Sequence, residues 1–387
     1  MYVRIVELQQ AWGGRRFSAL EFLCSILSPS IDEKLRRQLM DTGQTPPFRW
    51  TELVDLATDH LVAPALARRL DESGLSDSVP KAVSRYFGAV HRLNRIRNTQ
   101  IDVQCMAIAA ALNEIDVVPV FFKGGGAMLA GLYSDPASRV MSDLDILVPA
   151  DRNSDCVSRL LAFGFGADGA PRHPRDQSYA VLYPESGAAP VDLHRDVVAY
   201  PYQDLLSVQQ VIAHAIEHNR RGVTFAVPSP THQLIINVAH AQLHHNHGYI
   251  YGRLALRSLL DMSLICRRWG NNIDWCDVED RFDRIGARTA LDFHRIATSE
   301  SFGPLGLPAT ACWRARLAFR WSRFLSNHVA LMKIIERPLH ALLLLRRELS
   351  DAELRRRLGG NMRDQRWWSR HLATLRRGGT AAAKPNG

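Results

Sequence analysis

Residues 117–148, VVPVFFKGGGAMLAGLYSDPASRVMSDLDILV, bring together side chains that could do chemistry. Lys123 stands directly before three glycines, and Asp143 and Asp145 alternate in the segment DLDILV. In a strand, side chains two positions apart point to the same face, so these two carboxylates share one. Adjacent like charges repel, which is tolerable at a solvated strand end or beside a divalent cation. The spacing therefore predicts either a metal site or a solvent-facing edge strand.

The three glycines, Gly124 to Gly126, follow the β-rich run VVPVFF and precede the helical segment AMLAGLY. This order predicts a strand, a tight turn and a helix. Backbone N–H groups of such a turn can approach an anion closely, so the glycines are a candidate phosphate cradle. They match neither the P-loop nor the dinucleotide-binding pattern. A flexible turn that closes a buried strand is the alternative interpretation.

A third carboxylate, Asp192, alternates with His194 in the segment VDLH. On a strand beside DLDILV, Asp192 would complete a two-metal clamp and could take a proton from an attacking hydroxyl. We expect His194 to be a hydrogen-bonding neighbour rather than the base. Without metal the three carboxylates should repel one another. Replacing Asp145 by Asn should then leave the metal-free protein as stable as before, or more stable.

The elements that must position these residues follow from the hydrophobic period. Residues 17–115 have helical spacing, and helical spacing returns after AVPSPTHQ. The middle third is α/β, with the strands VVPVFF, DLDILV and APVDLHRDVV and a crossover helix in DRNSDCVSRLLAFGF. The pattern predicts four regions, which are an N-terminal helical region (1–100), the α/β domain that holds the carboxylates (101–225), a C-terminal helical domain (226–349) and a basic, partly disordered tail (350–387).

Charge and composition limit the classes of partner. The formal net charge of +9 arises mostly in residues 346–387, where there are eleven basic and four acidic side chains. The rest of the chain has no broad basic field, so nucleic-acid binding would depend on the tail. The six scattered cysteines form no C-x-x-C pair, which disfavours a disulfide framework and a cysteine zinc site. No apolar run approaches the ~20 residues that cross a bilayer, and we expect a soluble, cytoplasmic protein without a membrane partner.

The motifs resemble those of the nucleotidyltransferase superfamily of the DNA polymerase β type. The shared order is a strand, a Gly-Gly turn, a helix, an Asp-h-Asp-h strand and a later strand with a third Asp. More closely, FFKGGGAMLAGLY, SDLDILV, VDLH and VPSPTHQLIINVAHAQLH resemble an uncharacterised bacterial nucleotidyltransferase family. The similarity runs from about WTELVDLATDHLVAPALARRL to about Trp269. It implies an α+β fold, with a mixed sheet, flanking helices and helical regions at both ends.

The resemblance also implies a reaction. A nucleoside monophosphate would pass from an NTP to a hydroxyl or similar acceptor, with release of pyrophosphate and with two Mg²⁺ ions as cofactors. Gly124 and Gly125 would hold the triphosphate through backbone N–H groups. Asp143 and Asp145 would bind the metals, and Asp192 would bind the catalytic metal and help activate the acceptor.

Two basic residues are further candidates for nucleotide binding. Seventeen residues separate Gly125 from Asp143, a longer segment than in most of the superfamily. This segment carries Arg139, whose planar guanidinium could grip a phosphate bidentately. Lys123 is a point charge placed for the β- or γ-phosphate, and a solvated strand end is its alternative role.

The segment HAQLHHNH puts His240 and His244 one helical turn apart, a spacing at which two imidazoles can share a metal. It lacks the glutamate of H-E-x-x-H, so we expect no structural zinc there. The related family has a similar His-Ala-x-x-His, and these histidines could line the acceptor side together with His194.

The acceptor stays open among a small molecule, a sugar, a protein side chain and an RNA end. Two other classes of function remain. One is a nucleotide-binding or regulatory module of the same fold without turnover. The other is a nucleic-acid-binding protein that acts through the basic tail.

Overall fold

The computed structural model describes residues 18–28, 49–167, 176–185, 188–244, 248–308 and 310–326, with a few isolated positions between 328 and 338. The described residues up to Ser326 belong to one compact unit, and the isolated later positions belong to a second one. The basic tail expected at 350–387 lies outside the described residues. No helix among the described residues is long and apolar enough to cross a membrane.

The centre of the fold is a mixed sheet of seven strands in the spatial order β3-β4-β5-β2-β1-β7-β6. The β2–β5 and β1–β7 pairs are parallel, and the other neighbours are antiparallel. The strands are β1 (Val120–Phe122), β2 (Leu144–Leu147), β3 (Phe165–Ala167), β4 (Ser178–Pro184), β5 (Val191–His194), β6 (Ile216–Arg220) and β7 (Val223–Val227). The expected mixed sheet of an α+β fold is confirmed.

Four of the seven strands were not expected from the sequence. The three predicted strands correspond to β1, β2 and β5, but a simple crossover does not connect β2 to β5, because the hairpin β3–β4 lies between them along the chain. The hairpin β6–β7 turns at Arg221 and Gly222, whose φ angles are +55° and +85°. A two-residue turn with positive φ at both positions matches the right-handed twist of paired strands.

The N-terminal helices are α1 (Ala19–Leu27), α2 (Trp50–Asp59), α3 (Ala63–Glu72) and α4 (Lys81–Asn113). The Ser18 hydroxyl accepts a hydrogen bond from the Glu21 N–H, and the Glu21 carboxylate accepts one from the Ser18 N–H, which completes a capping box at the start of α1. Helix α4 has 33 residues and spans residue 100, where the sequence-based division has a boundary. The division of the chain into regions therefore stays a prediction.

The remaining helices lie between strands of the sheet along the chain or follow its last strand. They are α5 (Lys123–Leu129), α6 (Asn153–Ala162), α7 (Val208–Ala213), α8 (Pro230–Gln242), α9 (Gly248–Tyr251), α10 (Leu256–Trp269), α11 (Trp275–Arg284), α12 (Arg288–Phe302) and α13 (Trp313–Ser326). The expected helical spacing after AVPSPTHQ corresponds to α8 and its successors.

Helices cover both faces of the sheet, and this sets where the polar residues can lie. Phe121, Ile146 and Leu193 point to one face and pack with the apolar residues of α4 and α6. Phe122 and Leu147 point to the other face and pack with α8 and the later helices. Because side chains alternate along a strand, the polar residues between Leu144 and Ile146 or between Val191 and Leu193 face α8.

Candidate functional site

A cavity of about 670 Å³ lies between the second sheet face and helices α8 and α10. This volume is in the range of small-molecule sites in proteins. Six charged residues line the cavity, and we call them the charged wall: Lys123, Arg139, Asp143, Asp145 and Asp192 from the strands and the segments beside them, and Arg257 from α10. On the side of α8, Gln233 and Asn237 line the cavity, and we call this pair the amide wall.

Two carboxylates of the charged wall lie side by side because β2 and β5 are parallel and in register, with Asp145 opposite Asp192. Their oxygens and a His194 nitrogen lie within 4.8 Å of one another, the one cluster of metal-ligand type found among the described residues. The Ser178 hydroxyl donates to Asp192 Oδ2 at 2.8 Å. Asp192 Oδ1 is buried and has no hydrogen-bond partner in the described part of the chain.

Asp143 lies just before β2, half-buried, and accepts a hydrogen bond from the Ser142 hydroxyl at 2.8 Å. It lines the same cavity as Asp145. The alternation read from DLDILV thus brings both carboxylates to one side, as predicted. Asp143 is not part of the compact cluster of Asp145, Asp192 and His194.

Asp145 is paired with basic neighbours, and this pairing argues against the repulsion on which the expected effect of Asn depends. The carboxylate is 3 % exposed. Lys123 Nζ and His194 Nε2 each lie 2.7 Å from its Oδ1. Burial alone would raise the pKa of Asp145, but the Lys123 charge and the His194 hydrogen bond hold this pKa well below its usual range. In the metal-free protein, the ionised Asp145 is therefore compensated.

His194 bridges the two strand carboxylates. Its Nε2 is 2.7 Å from Asp145 Oδ1 and 3.3 Å from Asp192 Oδ2, and its ring packs edge-on against Phe122 with the centroids 4.9 Å apart. A proton on Nε2 can be shared between both carboxylates. This geometry agrees with the expected role of a hydrogen-bonding neighbour.

The glycine segment differs from the expected separate turn, because helix α5 begins at Lys123, directly after β1, and contains all three glycines. Lys123 makes the change of direction with φ +48°. A Cβ on Gly124 would lie 2.5 Å from Arg139 Nη1, and one on Gly126 would lie 2.5 Å from the Phe121 carbonyl oxygen. The glycines therefore allow close packing of α5 on its neighbours. Gly124 lines the cavity, whereas Gly125 packs under Leu144 and is not part of the cavity wall.

Arg139 is buried, and its guanidinium is held by Asp261 of α10. Nε and Nη2 donate to the two Asp261 oxygens at 3.1 and 2.8 Å, and the Tyr133 hydroxyl donates to Oδ1 at 2.7 Å. The bidentate fork expected to grip a phosphate is thus occupied within the protein. Burial would lower the pKa of Arg139, but the Asp261 charge raises it further above its usual range. The guanidinium stays charged, and its Nη1 lies beside Gly124.

The long segment before Asp143 is fixed by helix α4. Asn94 and Asn98 donate to the carbonyl oxygen of Arg139 at 3.0 and 2.8 Å, and they also donate to Ala137 and Pro136. The two asparagines are four residues apart and therefore lie on one helix face. This contact explains why the segment can be long and still hold Arg139 in one position.

Arg257 of α10 also lines the cavity and was missed in the sequence. It donates to the Val140 carbonyl oxygen at 3.2 Å. Burial lowers its pKa, and the neighbouring Arg139 charge lowers it further. The four-residue spacing of Arg257 and Asp261 could have indicated Arg257 in the sequence, because this spacing places both side chains on one face of a helix.

His240 and His244 line the cavity on the α8 side, with their rings stacked at 5.5 Å between centroids and 17° between planes. They are not part of the metal-type cluster found in the described residues. The amide wall stands on the same helix, at positions 233 and 237. Sequence reasoning singled out the histidines and missed both amides.

A mixed sheet flanked by helices, with aligned carboxylates on neighbouring parallel strands above a cavity, is consistent with an α+β fold of the nucleotidyltransferase type. The family model described as uncharacterised nucleotidyltransferase matches residues 46–303, which is more than half of the chain. The chain belongs to this family. No curated protein matches the chain. Family membership supports a transferase and a nucleotide substrate, and the cluster of Asp145, Asp192 and His194 could bind a metal ion.

Proposed function

We propose that the protein transfers a nucleoside monophosphate from an NTP to an acceptor hydroxyl and requires a divalent cation. The observation that carries the proposal is the pair Asp145 and Asp192, in register on parallel strands and facing a cavity that also exposes Lys123. Oxygen ligands on adjacent strands beside cationic side chains suit a metal-bound triphosphate.

The residues present fit a hard cation. Asp192 Oδ1 is a buried acceptor without a partner among the described residues, and a cation would satisfy it. Asp145 and Asp143 supply further carboxylate oxygens on the same side of β2. When bound, Mg²⁺ would neutralise charge on the phosphates. We assign Asp143, Asp145 and Asp192 as its ligands, with two ions as the family resemblance implies.

The cationic side chains of the charged wall would hold the triphosphate. Lys123 donates a hydrogen bond to Asp145. With Asp145 serving as a ligand of the cation, the Lys123 ammonium group would be free to turn to a phosphate oxygen. Arg257 and the Nη1 group of Arg139 add positive charge at the cavity wall. Gly124 allows a phosphate to approach the backbone because it has no side chain.

Asp192 is our candidate to accept the proton of the acceptor hydroxyl. It is less buried than Asp145, and its Oδ1 has no donor within the described chain. In the reaction the acceptor oxygen bonds to the α-phosphorus, the bond from the α-phosphorus to the bridging oxygen breaks, and pyrophosphate leaves. His194 holds the two carboxylates in place through its Nε2.

The test is incubation of the protein with Mg²⁺, each α-labelled NTP and candidate acceptors, with pyrophosphate release and label transfer as readouts. The matched pair of variants is Asp192→Asn and Asp204→Asn, since Asp204 is an exposed aspartate that is not part of the cavity wall. We expect turnover in the wild type and in Asp204→Asn, and loss of turnover in Asp192→Asn. Equal NTP affinity in EDTA and in Mg²⁺ would contradict the metal-dependent reaction.

A further inference from the structure

A chain of buried hydrogen bonds ends at the amide wall. The Tyr249 backbone N–H donates to Gln242 Oε1 at 2.9 Å, Gln242 Nε2 is 2.9 Å from His294 Nδ1, and His294 Nε2 is 3.0 Å from Asn237 Oδ1. Gln242 and His294 are each 0 % exposed. We call these four residues the amide relay.

The direction of every bond in the amide relay follows from its first donor. A backbone N–H can only donate, so the Gln242 atom that it meets must be the oxygen. The Gln242 nitrogen then donates to His294 Nδ1, which leaves the imidazole proton on Nε2. That proton is donated to Asn237, so the bonded Asn237 atom is its oxygen.

Asn237 therefore presents a fixed donor to the cavity. Its Nδ2 group makes no hydrogen bond to the described residues, and Asn237 lines the cavity. An amide that could flip would offer either a donor or an acceptor. The relay removes this choice, because a flipped Asn237 would point its NH₂ group at the His294 N–H.

Gln233 presents the opposite group one helical turn away. Its Nε2 donates to the Pro228 carbonyl oxygen at 2.8 Å, and a carbonyl oxygen can only accept. The free end of Gln233 is therefore the acceptor Oε1, which has no partner in the described part of the chain. Residues four apart are neighbours on a helix, so the amide wall offers one acceptor and one donor side by side.

We propose that the amide wall reads the base of the nucleotide, with Asn237 donating to a ring nitrogen or carbonyl of the base and Gln233 accepting from it. This inference rests on the proposed function, which brings an NTP into the same cavity. The charged wall suits phosphates and a cation, whereas the amide wall is uncharged, and the apolar Leu132 and Ile236 also line the cavity. A nucleobase is flat and uncharged, and its edges carry both donors and acceptors, which Asn and Gln side chains can match.

His294 is a positioning residue in this proposal, because it faces Asn237 and is not part of the cavity wall. His294→Gln keeps the polarity, since the glutamine oxygen can accept from Gln242 and its nitrogen can donate to Asn237. His294→Leu removes both bonds and frees Asn237 to flip. The two variants thus separate orientation of Asn237 from simple filling of the buried site.

The experiment measures dissociation constants by calorimetry with Mg²⁺ and five probes: ATP, GTP, CTP, UTP and inorganic tripolyphosphate. The proteins are the wild type, Asn237→Leu, Asn237→Ser, Gln233→Leu, His294→Leu and His294→Gln. His232→Leu is the matched control, since it removes a buried imidazole from α8 that is not part of the cavity wall. Tripolyphosphate has no base, so it reports the charged wall alone.

We expect the wild type and His232→Leu to prefer one base. Asn237→Leu and Gln233→Leu should raise the dissociation constant of the preferred NTP about tenfold, the range of one or two net hydrogen bonds, and leave that of tripolyphosphate unchanged. His294→Leu should lower the ratio between bases, and His294→Gln should restore it. Asn237→Ser replaces Asn237→Leu if the latter loses tripolyphosphate binding, because such a loss indicates a damaged fold.

The outcomes distinguish this inference from the proposed function. If the wild type binds neither NTPs nor tripolyphosphate with Mg²⁺, the proposed function fails and the base reading fails with it. If it binds all four NTPs equally, only the base reading is overturned. An unchanged base preference in both Asn237→Ser and Gln233→Leu overturns it as well.

Discussion

The charged wall and the amide wall of the cavity use the same principle with different chemistry. In both, side chains that line the cavity are held in place by bonds to neighbouring protein groups. On the charged wall the partners are ions, as in Arg139 with Asp261 and Lys123 with Asp145. On the amide wall the partners are neutral groups. Gln233 is bonded to the Pro228 carbonyl oxygen, and Asn237 is linked through His294 and Gln242 to the Tyr249 N–H.

The two ion pairs of the charged wall also differ from each other. Arg139 meets Asp261 with two nitrogens and cannot give up its proton, so this pair is suited to hold α10 against the loop before β2. Lys123 meets Asp145 with the single nitrogen at the end of a flexible side chain. In the proposed reaction a cation would take the place of this nitrogen beside the carboxylate. Rigid pairing should therefore matter for stability, and exchangeable pairing for turnover.

The largest expected effect belongs to Asp145→Asn. Loss of this carboxylate should lower nucleotidyl transfer by at least about a hundredfold, as for removal of a principal electrostatic group. It should also lower the free energy of unfolding of the metal-free protein by about 2 kcal/mol, because Lys123 is left as a partly buried, unpaired charge. Transfer assays and urea unfolding in EDTA measure the two effects.

The double variant Lys123→Met/Asp145→Asn is the control. It should recover stability in EDTA, since no charge is left unpaired, and it should stay inactive. An Asp145→Asn protein that unfolds in EDTA like the wild type would contradict the role of Lys123 and His194 described above.

Asp261→Asn should have the next largest effect, this time on stability. Arg139 would lose its counter-ion while its guanidinium stays charged and buried, at a cost of about 3 kcal/mol. Asp204→Asn, an exposed aspartate, should change the free energy of unfolding by less than about 0.5 kcal/mol. If Asp261→Asn lost nucleotidyl transfer but kept its stability, the Arg139–Asp261 pair would act in the reaction and would not stabilise the fold.

These two ion pairs show how far the sequence can be read. The alternation in DLDILV and VDLH predicts which face the carboxylates share, because strand geometry alone decides it. It does not predict that Lys123 compensates Asp145, since this contact joins residues 22 positions apart through the turn into α5. The sequence therefore indicated repulsion where the structure has pairing.

The missed strands and the missed amide wall have physical reasons too. Strand β6 is mostly exposed and β3 is half exposed, so neither has the apolar run or the clear alternation from which strands are recognised. The amide wall depends on a contact between Gln242 and His294, 52 residues apart on different helices. Gln and Asn on a helix have no motif, and only tertiary packing fixes which atom they present.

Gly126→Ala tests whether the glycines of α5 serve close packing. A Cβ there would overlap the Phe121 carbonyl oxygen, a backbone atom that cannot move aside. We expect a loss of about 2 kcal/mol, in the range of overpacked sites. The matched control is Gly88→Ala in α4, where a Cβ would meet Arg92 at an ordinary 3.4 Å. This control should gain up to about 1 kcal/mol, because alanine favours helix. Similar stability changes in both variants would rule out the packing explanation.

The last prediction tests through pH whether His294, which is bonded to Asn237 of the amide wall, is neutral in the folded protein. Burial lowers the pKa of His294 to about 3, from an ordinary value of 6.5. Below pH 6.5 the unfolded chain binds a proton at this residue and the folded protein does not, so acid favours unfolding. The free energy of unfolding should fall by about 2 kcal/mol between pH 7 and pH 5 on account of His294, and it should fall further until pH approaches 3.

His294→Gln isolates that contribution, because glutamine keeps the hydrogen bonds and does not titrate. Other buried histidines, such as His232 with a pKa lowered to about 4, contribute equally to both proteins. Urea unfolding of wild type and variant at pH 7 and pH 5 should therefore show a smaller acid loss in the variant, by about 2 kcal/mol. Equal losses would mean that His294 accepts a proton in the folded state. A doubly protonated imidazole would still donate from Nε2 to Asn237, but its Nδ1 would face the Gln242 NH₂ group, so the relay would not run from the Tyr249 N–H as described.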